Sequence, residues 1–131
     1  MQVRDAVEAD GGRLADLADV PSEVMGNVVH DRTVRVAETD DDIEGFVGFD
    51  AHRDAVHVTH LYGSQAARER LLDEPVRFAA CEEMAVELLV PDDEDESVSA
   101  AKSTGFENVG PGPRFDGRPT ERFRLENPTR E

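Results

Sequence analysis

Two histidines three residues apart in an otherwise apolar run, Ala55-Val56-His57-Val58-Thr59-His60-Leu61, are the first residues in this chain whose type suits chemistry. An imidazole titrates near pH 6.5 and can take a proton from an ammonium group, directly or through water. Strict alternation along a strand sets Val56, Val58 and His60 on one face and His57, Thr59 and Leu61 on the other, so the two rings are expected on opposite faces, unable to share a metal. Just downstream, Gly63-Ser64-Gln65-Ala66-Ala67-Arg68-Glu69-Arg70 joins a strand to a helix. Ser64 can cap that helix, the helix N-terminus suits an anion, and Gln65, Arg68 and Arg70 add donors nearby. A purely structural use competes for each group: Arg70 paired with Glu74 one turn on, Arg68 in solvent, and the histidines packed or at the surface.

Other reactive types are poorly placed. Ser22 and Ser64 lack the tight strand-turn-helix context of a nucleophilic serine. Cys81 is the only cysteine, so an internal disulfide and a cysteine-based zinc site are excluded, and no activating partner is evident. The run Asp92-Asp93-Glu94-Asp95-Glu96 reads as an acidic helix start, favoured by the macrodipole. Gly110, Gly112 and Gly117 do not make a phosphate loop, because Pro111, Pro113 and Pro119 remove donors there. No metal site is expected.

The elements that must position these residues follow from periodicity. Residues 2 to 5 predict a strand; Asp10 is placed to cap a helix through Asp19, and Ser22 a second helix ending near His30. Alternation from Thr33 to Glu38, the acidic turn at 39–42 and the doubly apolar Glu44-Gly45-Phe46-Val47-Gly48-Phe49 predict a hairpin whose second strand is covered on both faces. The turn at 50–54 leads to the histidine strand. Leu71 and Leu72 mark the next helix, in which Pro75 is expected to cause a kink or break. Met84 to Val90 reads as a buried strand, followed by a helix ending at Gly105. Phe106 to Gly110 and Thr120 to Glu126 form a last pair of strands around the loop 111–119, with Phe123 and Leu125 inward and Arg122 and Arg124 outward.

The 131 residues suit a single domain spanning 1–131. Thirty Asp and Glu against fourteen Lys and Arg give a net charge of −16, which repels phosphate and argues against nucleic acid and anionic membranes as partners. No run is long and apolar enough to span a bilayer, and no targeting segment is evident, so a cytoplasmic location is expected. Of the basic residues only Lys102 is a lysine. Acidity with scarce lysine and few large apolar groups resembles proteins of salt-loving archaea, where molar salt shrinks the Debye length to about 3 Å and relieves self-repulsion.

The order strand, two helices, three antiparallel strands, helix, strand, helix, two strands resembles the GNAT family of acetyl-CoA-dependent N-acetyltransferases. The opening Gln2-Val3-Arg4-Asp5-Ala6 with Asp10, the strand 44–49, Leu71-Leu72, the strand Val86-Glu87-Leu88-Leu89-Val90, and Ala100-Ala101-Lys102-Ser103-Thr104-Gly105-Phe106 carry the resemblance over nearly the whole chain. It implies an α+β fold with a mixed, mostly antiparallel sheet of about six to seven strands and helices on both faces. It also implies acetyl-CoA as cofactor and a small-molecule or peptide amine as substrate; an exposed sheet edge open to a homodimer belongs to the alternative of a member that has lost catalysis. The family holds the cofactor's pyrophosphate on a loop of the pattern Gln/Arg-x-x-Gly-x-Gly/Ala. Here Gln65 takes the first position, Arg68 and Arg70 replace the glycines, and the loop is shorter; Ser64, Gln65, Arg68 and Arg70 are the cofactor-end candidates. The position of the family's acid tyrosine is Ala101, and Tyr62 does not correspond to it. The family's base lies near the fourth strand, where His60 is the preferred candidate and His57 the second. A catalytically silent binding or assembly module on the same fold is the alternative.

Overall fold

The protein is described by a computed structural model covering residues 1–126 and 128, apart from Asp41, Asp54, Phe115 and Asp116. These four residues, which the sequence places in turns and loops, lie outside the described part.

Seven strands form one sheet: β1 (Gln2–Asp5), β2 (Thr33–Thr39), β3 (Asp42–His52), β4 (Ala55–Gly63), β5 (Ala85–Pro91), β6 (Glu107–Pro111) and β7 (Thr120–Leu125), in the order β1-β2-β3-β4-β5-β7-β6. Every neighbouring pair is antiparallel except β4 and β5. Helices α1 (Gly11–Ala18) and α2 (Ser22–Asp31) cover one face; α3 (Gln65–Glu82) and α4 (Asp95–Ser103) cover the other. This is the α+β arrangement expected.

Strand β3 is apolar on both sides because each side is roofed. Phe46 packs with Leu14, Met25 and Ile43 under α1 and α2. Val47 and Phe49 pack with Leu71, Leu72 and Ala79 of α3. The inward Phe123 and Leu125 of β7 join this second core, and Arg122 and Arg124 project oppositely, as their alternation predicts.

Two expected caps are not made. Asp10 belongs to a short 3-10 turn (Glu8–Asp10), and its carboxylate accepts from the Val7 amide (2.9 Å) and from Arg4 (Nη1 2.9 Å, Nη2 3.2 Å). Arg4 also donates to Glu38 (3.0 Å), so the charge pair ties β1, β2 and the start of α1 together. Ser22 is the first helical residue of α2, preceded by Pro21 in an extended conformation, and its hydroxyl makes no cap. Pro75 does not break its helix: α3 runs continuously from Gln65 to Glu82 with Pro75 buried. The lost donor is one bond in an eighteen-residue helix whose Leu71, Leu72 and Ala79 are fixed in the core.

The Arg4 hydrogen bonds hold the Asp10 carboxyl below its ordinary range. A carboxylate with a depressed folded-state pKa stabilises fully above the unfolded value and loses that contribution as pH falls through the folded one. Asp10→Ala is expected to cost about 1–2 kcal/mol at pH 7, as for a charge-assisted hydrogen bond with a partly exposed partner, and less below pH 4. Urea unfolding at both pH values checks this.

Candidate functional site

A bulge decides where the two histidines point. In β3 and β4, Gly48 pairs with His60 and Phe49 with Val58, leaving Thr59 as the extra residue. Past it the alternation is inverted. Val56, Val58 and Leu61 all face the α3 core, whereas Tyr62 packs beside Phe46 under α1 and α2 and its alternation partner His60 stacks there too. His57, between Val56 and Val58, lies on that same side. The expected separation of His57 and His60 onto opposite faces is thus corrected: one inserted residue flips every side chain after it.

The same stretch opens the sheet. Strands β4 and β5 pair only from Ala55↔Ala85 to Val58↔Leu88. Beyond that point β4 continues with β3 to Gly63 and β5 continues with β7 to Pro91. A wedge opens between Thr59–Tyr62 and Leu89–Pro91, lined by backbone groups that make no ladder across it.

His60 sits half-buried at this wedge, its ring 6.3 Å from Phe46 and 6.5 Å from Tyr62. The Thr59 hydroxyl lies 3.2 Å from the Gly48 carbonyl and 2.9 Å from His60 Nδ1. In the tautomer in which the hydroxyl donates to Gly48 and accepts from Nδ1–H, Nε2 is the acceptor nitrogen. Burial, aided by the positive charge of Arg32, pushes the imidazole pKa down and keeps the ring neutral at pH 7. His57 is near His52, ring centroids 6.3 Å apart, and next to Glu87 in register, away from the wedge. Burial, then Glu94, pushes the Tyr62 phenol up, so it stays protonated.

At the end of the wedge, α3 begins. Ser64 caps it as expected, accepting from the Ala67 amide (3.1 Å), while the Arg68 amide donates to the Ser64 carbonyl (2.9 Å). Gln65 turns its side-chain amide onto Glu69 (3.2 Å). Arg68 is buried, in neither solvent nor a free anion site. Its Nε donates to the Gly63 carbonyl (2.7 Å) and its Nη1 to Glu94 Oε1 (2.6 Å) and to the Ser97 hydroxyl, which itself donates to Glu94 (2.7 Å). Arg70 does not meet Glu74 either. It lies 3.9 Å from Asp73, and Glu74 instead takes Arg35 (3.4 Å) and Arg77 (3.9 Å).

The sequence reading missed Glu94 and Ser97. Its signal was available: Arg68 stands at the helical spacing of Leu71, Leu72 and Pro75, so its charge enters a buried stripe and requires a buried partner. The acidic run is accordingly more than a dipole match, since Glu94 holds Arg68 and Asp93 holds Arg118 (2.6 Å).

A diphosphate does not fit this end as it stands. The Ala67 and Arg68 amides are already used, Arg68 is spent internally, and Asp93, Glu94, Asp95 and Glu96 line an open cleft beside it. Ala101, at the resemblance's tyrosine position, is fully buried. Among the described residues no cluster of three or more His, Cys, Asp or Glu could hold a metal, and no helix is long and apolar enough to cross a membrane.

No family model matches the chain, and no curated protein does. Solved structures do. The ribosomal-protein-alanine N-acetyltransferase of Brucella melitensis superposes with a TM-score of 0.79 at 17% identity, over 95% of this chain and 98% of that one. The yncA protein of Salmonella typhimurium, solved with its cofactor acetyl-CoA, gives 0.77 at 16% identity over 95% and 92%. A GNAT-family acetyltransferase from Bacillus cereus gives 0.77 at 15% identity over 96% of both chains. At such identities the likeness concerns the fold, and on that basis this chain has the fold of the GNAT acetyltransferases.

Proposed function

We propose that the chain is an N-acetyltransferase-like protein that handles a small-molecule or peptide amine at the β4–β5 wedge, in the cytoplasm and at high salt. The observation that carries the reading is the parting of β4 and β5 directly beside a half-buried histidine whose pKa is pushed down. His60 accepts the proton an ammonium group must lose before its nitrogen becomes nucleophilic. The backbone groups of Thr59–Tyr62 that face away from β3, into the wedge, offer donors to a bound carbonyl. His57 plays no part at the wedge and serves at most on the open sheet face. Ser64 and Gln65 remain the candidates for an anionic cofactor end, through the first amides of α3. Acetyl-CoA is the acyl donor in this reading, and it reaches the wedge only if the Arg68 contact gives way.

A second reading, a binding or assembly module without turnover, is favoured by that contact and by Ala101. Calorimetric titration of acetyl-CoA in molar KCl, with CoA and ATP alongside, separates the two. Saturable binding of acetyl-CoA and CoA at high micromolar concentration, without ATP binding, supports the first. Absence of binding to about 1 mM, where association is worth only ~4 kcal/mol, by the wild type and also by a folded variant lacking the Arg68 contact favours the second.

A further inference from the structure

The strongest feature outside the proposed chemistry is a clasp in which the buried Arg68 and Ser97 meet the partly exposed Glu94. Arg68 leaves the first turn of α3, bonds the carbonyl of Gly63 where β4 ends, and reaches Glu94 and Ser97 at the start of α4, just after β5 ends. The side chain therefore spans the mouth of the wedge between the ends of the two parted strands. It is only 8% exposed.

We infer that Arg68 is a built-in plug: clasped by Glu94 and Ser97, it closes the mouth of the β4–β5 wedge against a diphosphate-bearing ligand, which enters only when the clasp opens. This deepens the reading of the wedge given above and rests on it. Two effects act together. The guanidinium fills the space a ligand would cross. The carboxylates that hold it, Glu94 and, at 3.7 Å, Glu96, set negative charge beside the amides of α3 that would otherwise attract an anion. Arg68 and Ser97 are buried while Glu94 is only partly so, and the clasp is anchored from beneath the surface. An arginine that bonds a carbonyl, a carboxylate and a hydroxyl at once is held in one geometry.

Removing both charges avoids leaving either one unpaired, so the first variant is Arg68→Ala with Glu94→Ala; Glu94→Gln, which keeps the side-chain shape, is the second. CoA and inorganic diphosphate are titrated into the wild type and both variants in molar KCl, with thermal melts confirming that each is folded. The plug predicts CoA binding at least tenfold tighter in the double variant, a smaller gain in Glu94→Gln, and a parallel gain for diphosphate. CoA binding to the wild type with equal or weaker binding to both folded variants overturns the plug and leaves the acetyltransferase-like reading standing. Absence of CoA binding by all three proteins overturns both.

Discussion

Gly63→Ala is expected to unfold much of the protein's stability margin, costing on the order of 3–5 kcal/mol and lowering the melting temperature by more than about 10 °C. Gly63 pairs with Gly45 in register, at φ +127°, a conformation reserved in practice for glycine. A Cβ on Gly63 would stand 2.4 Å from the Glu44 carbonyl oxygen and 2.7 Å from the Gly45 Cα; one on Gly45 would stand 2.4 Å from the Tyr62 carbonyl oxygen. All three neighbours are backbone and no rotamer change relieves them. The strain falls at the residue whose carbonyl receives Arg68 and whose successor caps α3, so the end of the wedge is displaced together with the loss of stability. Thermal melts of Gly63→Ala and Gly12→Ala test this, since a Cβ on Gly12 meets nothing within 4 Å. Equal melting temperatures for Gly63→Ala and the wild type would refute the close approach of the two strands.

His60→Gln is expected to lower acetyl transfer about 10²- to 10³-fold while leaving the melting temperature within a few degrees. Glutamine keeps the size and a hydrogen bond to Thr59 but has no titrating nitrogen. The pH dependence distinguishes a base from a packing residue. Burial and Arg32 push the His60 pKa below 6.5, so wild-type activity should rise with pH through that lower value and be level by neutrality. The glutamine variant should lack that limb. Stability follows the same linkage: the unfolded state binds the proton more readily, so folding loses free energy as pH falls from 6.5 toward the folded pKa, and His60→Gln removes that component.

The strand and helix order was legible because the apolar period changes cleanly along the chain, from alternation in β2 to the Leu71-Leu72 spacing of α3. The wedge was not. Its cause is one extra residue at Thr59, and nothing in Val58-Thr59-His60 distinguishes a bulge from continued alternation, so the faces of His57 and His60 were misassigned. Pro75 does not break α3, because the local penalty of a proline is outweighed by the buried face of a long helix. Asp10 and Ser22 have capping side chains, yet Arg4 claims the first and Pro21 fixes the backbone ahead of the second. Arg68 shows the remaining gap. Its burial could be inferred from spacing, but its partners are 26 and 29 residues away and depend on how α4 docks against α3.

Acyl transfer at the wedge beside His60 is measured as thiol release from acetyl-CoA with a panel of small-molecule and peptide amines in molar KCl. The wild type and the Arg68→Ala/Glu94→Ala variant would be assayed together, each with and without His60→Gln. Amine-dependent release with at least one acceptor, faster in the opened variant and lost with His60→Gln, is the expected result. Absence of amine-dependent release from every protein, or release that His60→Gln leaves unchanged, would contradict it.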